Sequence, residues 1–205
     1  LVDRLLMAGK WFPLLRVQLP DAKIGRAIRA YFAAGFAGLL LPSSMGGDAL
    51  RSVGLGRDRG SVVEVGASIV LERLLGLIGS GIITLLVLWI AWQASIPMGV
   101  LLPWALACIG LSLLLAILPF SARVRRGLRW MLDHFEGTRW VGFVERFGEA
   151  YKMYREYPRT LLVVGFLSVI EQFAPILVFW VGAHALHLGL SFEAIFVAVP
   201  LTMFI

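Results

Sequence analysis

Between Pro42 and Gly60 the chain sets two adjacent glycines, Gly46 and Gly47, directly before Asp48, with Arg51 three positions further on. Paired glycines reach backbone conformations closed to other residues and leave amide N–H groups able to face an anion. If a helix starts here, Asp48 and Arg51 share a face, with Asp48 near the positive helix end. An exposed Arg51 would suit a lipid phosphate, because its guanidinium is a planar fork of donors. The plainer alternative is a helix cap with a surface ion pair. Glu72 and Arg73 begin a long apolar run, and Glu64 lies two helical turns before Glu72 on nearly the same face. Charges beside hydrocarbon are costly unless paired or solvated, so these groups are expected to face the bundle interior or a wet cavity. Headgroup contact, a salt bridge to Asp48 or Arg51 that locks helices together, and snorkelling to the interface all remain open for Glu72 and Arg73.

Glu171 stands eleven residues beyond Thr160 in another apolar run, about 17 Å along a helix axis and therefore near mid-membrane. Gln172 adjoins it and Pro175 follows one turn later, which adds a polar site and frees backbone carbonyls. The carboxyl could serve as counter-charge to a cationic headgroup or as a proton-coupling group; a protonated or Arg-paired structural Glu is the alternative. His184 and His187 share a helix face, but without a nearby acid or third ligand they make only a weak metal site. No P-loop, Ser-His-Asp order or zinc-ligand spacing occurs, so no catalytic residue, metal or cofactor is expected. One cysteine, Cys108, excludes an intramolecular disulfide.

The elements that would carry these groups are membrane helices. Of the 205 residues 59% are hydrophobic and 16% charged, against about 25% charged in a soluble domain, and mean hydropathy is +0.84. The net charge of +6 comes mostly from arginine grouped between apolar runs. In so apolar a chain that pattern points to anionic headgroups and topology, not to nucleic acid. Apolar runs at 74–92, 98–118, 160–183 and 192–205 are expected to span. The run at 30–41 is about 18 Å long as a helix, too short to cross alone. Basic flanks on both its sides predict a re-entrant or broken helix over 30–60 with a Gly-Gly-Asp loop, although a helix extended back through Ile24 would span. Residues 121–159 carry periodic apolar positions among nine Lys/Arg and five acids. They are expected to form two amphipathic helices on the cytoplasmic membrane surface, beneath the bundle, or as an ordinary helical hairpin. Positive-inside logic places 43–60 and 121–159 in the cytoplasm, and the Trp and Tyr residues are expected mostly at interfaces. Because the chain opens at Leu1 with no signal-peptide pattern and closes inside an apolar run, it is expected to be a piece of a longer protein.

Pro42, Gly46-Gly47-Asp48 and Arg51, followed by Glu72-Arg73 leading into Leu74-Leu75-Gly76-Leu77, resemble the lysylphosphatidylglycerol synthase transmembrane region, a flippase-like family. The resemblance runs from about Leu14 to Leu86. It implies an all-α polytopic bundle of the cytoplasmic membrane, associated in the best-known members with moving an aminoacylated phospholipid between leaflets. It also carries the family's acidic-Arg pair onto Glu72 and Arg73. Nothing resembling the soluble aminoacyl-transferase domain is present, so synthase activity is not implied. The leading expectation is a phospholipid-translocating module with Gly46, Gly47, Asp48, Arg51, Glu72, Arg73, Glu171 and Gln172 at its lipid site. Its partners would be a phospholipid or polyprenyl-linked lipid, the membrane, and either a second copy of the chain or a separate soluble synthase or transferase. The rival readings are a membrane enzyme or accessory subunit acting on lipid-linked sugars, and a non-catalytic membrane scaffold.

Overall fold

The computed structural model describes residues 2–40, 44–57, 61–93 and 139–202, with scattered positions between 99 and 114. The described elements are helical: α1 (Val2–Gln18), α2 (Ile24–Leu40), α3 (Ser44–Gly56), α4 (Val62–Gln93), α5 (Arg139–Met153), a 3-10 turn at Tyr154–Glu156, α6 (Pro158–Glu171), α7 (Phe173–Ala185) and α8 (Phe192–Thr202). Among the described residues, two stretches, Val62–Gln93 and Pro158–Ala185, are long and apolar enough to cross a bilayer. At 32 residues, α4 is about 48 Å long against a hydrocarbon core of about 30 Å. The protein is an all-α helical membrane protein. The expected span at 98–118 and the first amphipathic helix of 121–159 lie largely or wholly outside the described residues.

The chain forms two compact units, Leu1–Arg73 with Ser121–Val164, and Leu74–Phe120 with Gly165–Ile205. In the first, α1 packs on α2 and α2 on α3. The α1 helix ends where Pro20 can no longer donate, and Leu19 N–H to Leu15 O (2.8 Å) and Ala22 N–H to Leu19 O (2.9 Å) turn the chain into α2. Its buried face holds Trp11, Leu14 and Leu15. On α4 the buried face is Val65, Ser68, Ile69 and Glu72, spaced i, i+3, i+4, i+7, so two polar side chains stand on a helix stripe that normally belongs to the core.

Of the alternatives kept open for the short apolar run, the helix takes the longer one, and one reading changes. The helix over the short apolar run extends back to Ile24, giving 17 residues. The Gly-rich stretch read as a loop holds the 13-residue helix α3. Each interior glycine costs a helix about 1 kcal/mol relative to alanine, which is why the composition signals a loop. Packing supplies the compensation at Gly47, where a Cβ would lie 2.8 Å from the Ala34 carbonyl oxygen of α2. Only a bare Cα lets the two backbones come this close. Gly56 does the same for the next turn: a Cβ would lie 2.5 Å from Val62, and the Ser61 N–H closes onto the Gly56 carbonyl at 2.9 Å.

The second amphipathic helix, α5, is packed into the first unit. Gln18 Nε2 donates to the Ala150 carbonyl at 2.7 Å, Arg146 pairs with Glu64 at 2.8 Å, and the Tyr154 hydroxyl donates to the Leu14 carbonyl at 3.0 Å. Burial pushes the Tyr154 phenol above its ordinary range, so it stays a donor.

In the second unit, Ile83, Val87 and Ala91 of α4 form one cluster with Ile176, Ala183, Ile195, Phe196 and Val199. A Cβ at Gly79 would lie 2.9 Å from the Ser168 backbone, so this glycine too permits close backbone contact. The α7 helix ends in a Schellman motif: Leu188 N–H bonds to Ala183 O (3.0 Å) and His187 N–H to His184 O (3.1 Å), with His187 left-handed at φ 53°. The Ser191 hydroxyl then accepts the Ala194 N–H at 3.2 Å and caps α8.

Two stability outcomes follow, both read from thermal unfolding in one detergent. Gly47→Ala is expected to destabilise by about 1–3 kcal/mol through its clash, whereas Gly54→Ala, whose Cβ meets nothing within 4 Å, is expected to be neutral or to stabilise by up to about 1 kcal/mol. His187→Gly relieves a left-handed side-chain-bearing residue and is expected to stabilise by about 1 kcal/mol; a lower midpoint would contradict the helix-end geometry.

Candidate functional site

The first unit is organised around a buried ionic network to which four helices contribute. Asp48 and Arg51 lie one turn apart on α3, and Glu72 and Arg73 are neighbours on α4. Arg51 Nη2 donates to Glu72 Oε2 at 2.9 Å and to Asp48 Oδ1 at 3.3 Å. The other oxygen of Asp48, Oδ2, accepts two bonds from Arg73, from Nη2 at 2.9 Å and Nε at 3.2 Å. The carboxylate thus bridges the two guanidinium groups. Arg51 and Glu72 are buried, their side chains 3% and 5% exposed, while Arg73 is 57% exposed. The expectation of an exposed Arg51 does not hold; the outward-facing guanidinium is that of Arg73.

Aromatic rings complete the enclosure of Arg51. Its Cζ lies 4.3 Å from the Trp11 ring centroid and 4.6 Å from that of Tyr31, and the two centroids are 6.2 Å apart. Guanidinium over an aromatic face is attracted by the ring quadrupole, more strongly where water is excluded. The buried Arg51 Nε meets no acceptor among the described residues, and the rings add attraction that does not depend on that N–H. Trp11 is itself fixed: its Nε1 donates to Ser68 Oγ at 2.9 Å, and that hydroxyl donates to the Val65 carbonyl at 2.7 Å. Lys10, buried on α1, adds a third positive charge felt by Glu72. Three cations face two carboxylates, which leaves the group net positive.

Each predicted position now has a place. Gly46 is half-buried in the first turn of α3 and Gly47 is buried against α2. Asp48, Arg51, Glu72 and Arg73 come together as described. Glu64 points elsewhere, to Arg146. Glu171 and Gln172 belong to the second unit. Glu171, 8% exposed, ends α6, and Gln172 forms the break before α7, its N–H turning to Val169 O at 3.2 Å. Pro175 withholds the N–H that would have bonded the Glu171 carbonyl. His184 rests against Trp180, with centroids 5.5 Å apart, and His187 serves the helix end. The described residues contain no group of three metal-ligating side chains.

Sequence reasoning missed Lys10, Trp11, Tyr31 and Ser68. The expectation of interfacial aromatic residues fails at Trp11, which is fully buried. No local signal marked it: Lys10 and Trp11 are neighbours on α1 and so point in different directions, and the cation over the Trp11 ring is Arg51, forty positions further on.

The family model described as lysylphosphatidylglycerol synthase TM region matches residues 1–205, the whole chain. No curated protein and no solved structure matches it.

The pairing separates two arginine-carboxylate contacts by burial. Glu72→Ala strands Arg51 without its main counter-charge and is expected to cost about 3–5 kcal/mol. Arg73→Gln removes a solvent-screened partner and is expected to cost about 1 kcal/mol or less. Equal losses in unfolding measurements would mean that burial does not rank the two bridges.

Proposed function

The chain belongs to the lysylphosphatidylglycerol synthase transmembrane-region family, and from that premise we propose that it is a membrane-embedded module that binds a phospholipid or related polar lipid and moves it between leaflets. The single observation that carries this reading is the half-exposed Arg73 guanidinium, held by Asp48 about three turns into a helix long and apolar enough to span a membrane.

A lipid phosphate needs a donor fork that can be reached from the membrane and that does not collapse onto other groups. Arg73 uses Nε and one Nη2 hydrogen on Asp48, which leaves further N–H groups for a ligand. Asp48 cannot swing away with Arg73, because its second oxygen is held by Arg51. On this reading Arg51 and Glu72 position the site from behind and Arg73 touches the lipid. Glu171, a buried acidic side chain at the interruption of the second candidate span, is the polar group placed where that stretch can change conformation. No covalent chemistry is required: binding and exchange between conformations suffice. The cytoplasmic placement of 43–60 and 121–159 belongs to this proposal, on the positive-inside pattern alone.

The test is reconstitution of the full chain into vesicles carrying fluorescent phosphatidylglycerol in both leaflets, read by reduction of the outer-leaflet label. Faster label exchange than in protein-free vesicles is expected for the parent. Arg73→Ala is expected to slow it roughly 10- to 100-fold, the value of one or two charge-assisted hydrogen bonds, and Glu171→Gln is expected to slow it by at least about tenfold. Parent vesicles that exchange lipid at the protein-free rate would end the proposal.

A further inference from the structure

A second feature of the first unit lies apart from the ionic network. Between α2 and α3 runs an open groove of about 630 Å³, lined on α2 by Arg26, Arg29, Ala30, Ala33, Ala34 and Ala37 and on α3 by Leu50, Gly54 and Leu55. The α2 residues fall at helical spacing on one face, and the chemistry along that face changes once. Two arginines occupy its first turns and small apolar residues fill the rest. Among the described residues no acidic side chain lines the groove. Arg26 and Arg29 are exposed, and neither has an acidic partner among the described residues; Arg29 Nε only bonds back to the Gly25 carbonyl at 3.2 Å.

From Arg26 to Ala37 is eleven residues, about 17 Å along the helix. That matches the depth of one leaflet, about half of the roughly 30 Å hydrocarbon core. A ligand filling the groove therefore needs an anion at one end, an unbranched apolar chain of leaflet length behind it, and little bulk in between. The start of α2 also bears the positive end of the helix dipole and has no acidic residue in its first turn to offset it. Elsewhere α2 presents Phe36 and Leu39, 70% and 82% exposed, as expected of a helix bathed in hydrocarbon. We propose that the α2/α3 groove is a binding site for an anionic phospholipid, with its phosphate on Arg26 and Arg29 and one acyl chain laid along Ala30, Ala33 and Ala37 against Gly54.

The setting rests on the proposed lipid-handling role, but the site does not require translocation. It would hold lipid between α2 and α3, the second of which also carries Asp48 and Arg51, as a resident molecule.

Gly54 gives a clean way to close the groove. A Cβ there meets nothing within 4 Å, so Gly54→Leu projects a side chain into the groove without displacing backbone. The experiment is native mass spectrometry of the purified full chain after exchange into detergent containing dioleoyl phosphatidylglycerol, dioleoylglycerol or glycerol phosphate in turn. Retention of phosphatidylglycerol, with at least about tenfold weaker retention of the chain-only and phosphate-only probes, is expected. Arg26→Gln with Arg29→Gln, and separately Gly54→Leu, are each expected to weaken phosphatidylglycerol retention at least about tenfold while thermal midpoints stay near the parent's. Dioleoylglycerol held as firmly as phosphatidylglycerol, or retention unchanged in either variant, would overturn the proposal. Lipid exchange in vesicles separates the two readings. If exchange depends on Arg73 and retention ignores the groove variants, this inference falls and translocation stands. If retention follows the groove and the parent exchanges no lipid, the groove site stands and translocation falls.

Discussion

A guanidinium taken out of water has to be met on all sides by protein, and the first unit is arranged to do this for Arg51. The desolvation cost of such an ion is several kcal/mol and is offset only by close opposite charge and further hydrogen bonds. Glu72 at 2.9 Å and Asp48 at 3.3 Å provide the charge, and Trp11 and Tyr31 provide the faces. These groups come from α1, α2, α3 and α4, so the network forms only when all four helices are in register. A helix shifted by one residue would rotate its contributor by about 100° away from the others. Apolar packing alone is tolerant of such slips, especially in a chain this rich in interchangeable leucine and valine. The buried ions make these helices' relative placement specific.

Close backbone approach is the second requirement, and glycine meets it at two places that matter. Gly47 brings α3 onto the Ala34 carbonyl of α2 and so sets the depth at which Asp48 and Arg51 enter the unit. In the other unit Gly79 lets α4 meet the Ser168 backbone of α6, three residues before Glu171. Small residues at helix contacts are the usual means of tight packing where lipid removes the hydrophobic drive between helices. The device sits near a buried acidic side chain in each unit: Gly47 adjoins Asp48 of the network that holds Glu72, and the Gly79 contact at Ser168 lies three residues before Glu171.

Much of this was legible in the residues. The apolar lengths announce α4 and the α6–α7 stretch, Pro175 announces the break after Glu171, and the spacing of Asp48 with Arg51 and of Glu72 with Arg73 announces charged faces. The connection between those pairs was one of three alternatives, and distance along the chain could not choose among them. What stayed illegible has definite causes. Four glycines within 44–56 lower helix propensity so far that only contact with α2 shows why α3 forms. Trp11 and Tyr31 carry the composition of interfacial anchors, and nothing local tells a ring that faces headgroups from one that faces an arginine. Arg26 and Arg29 look like ordinary flanking charges until Leu50 and Gly54 of α3 are seen across the groove from them.

The burial gradient along the network bears on how a structural ion cluster and a ligand site can be one object. Arg51 and Glu72 are closed off and have no capacity to exchange partners with a passing molecule. Arg73 is more than half exposed, yet it is held through Asp48 to that closed pair. A free surface arginine spends rotamer entropy when it binds an anion. One already tethered at Nε and Nη2 has lost most of that freedom before a ligand arrives. On the proposed lipid site the buried pair would act on affinity without touching the lipid: it keeps Asp48 fixed, Asp48 keeps Arg73 aimed, and the ordering cost would fall on folding instead of on binding.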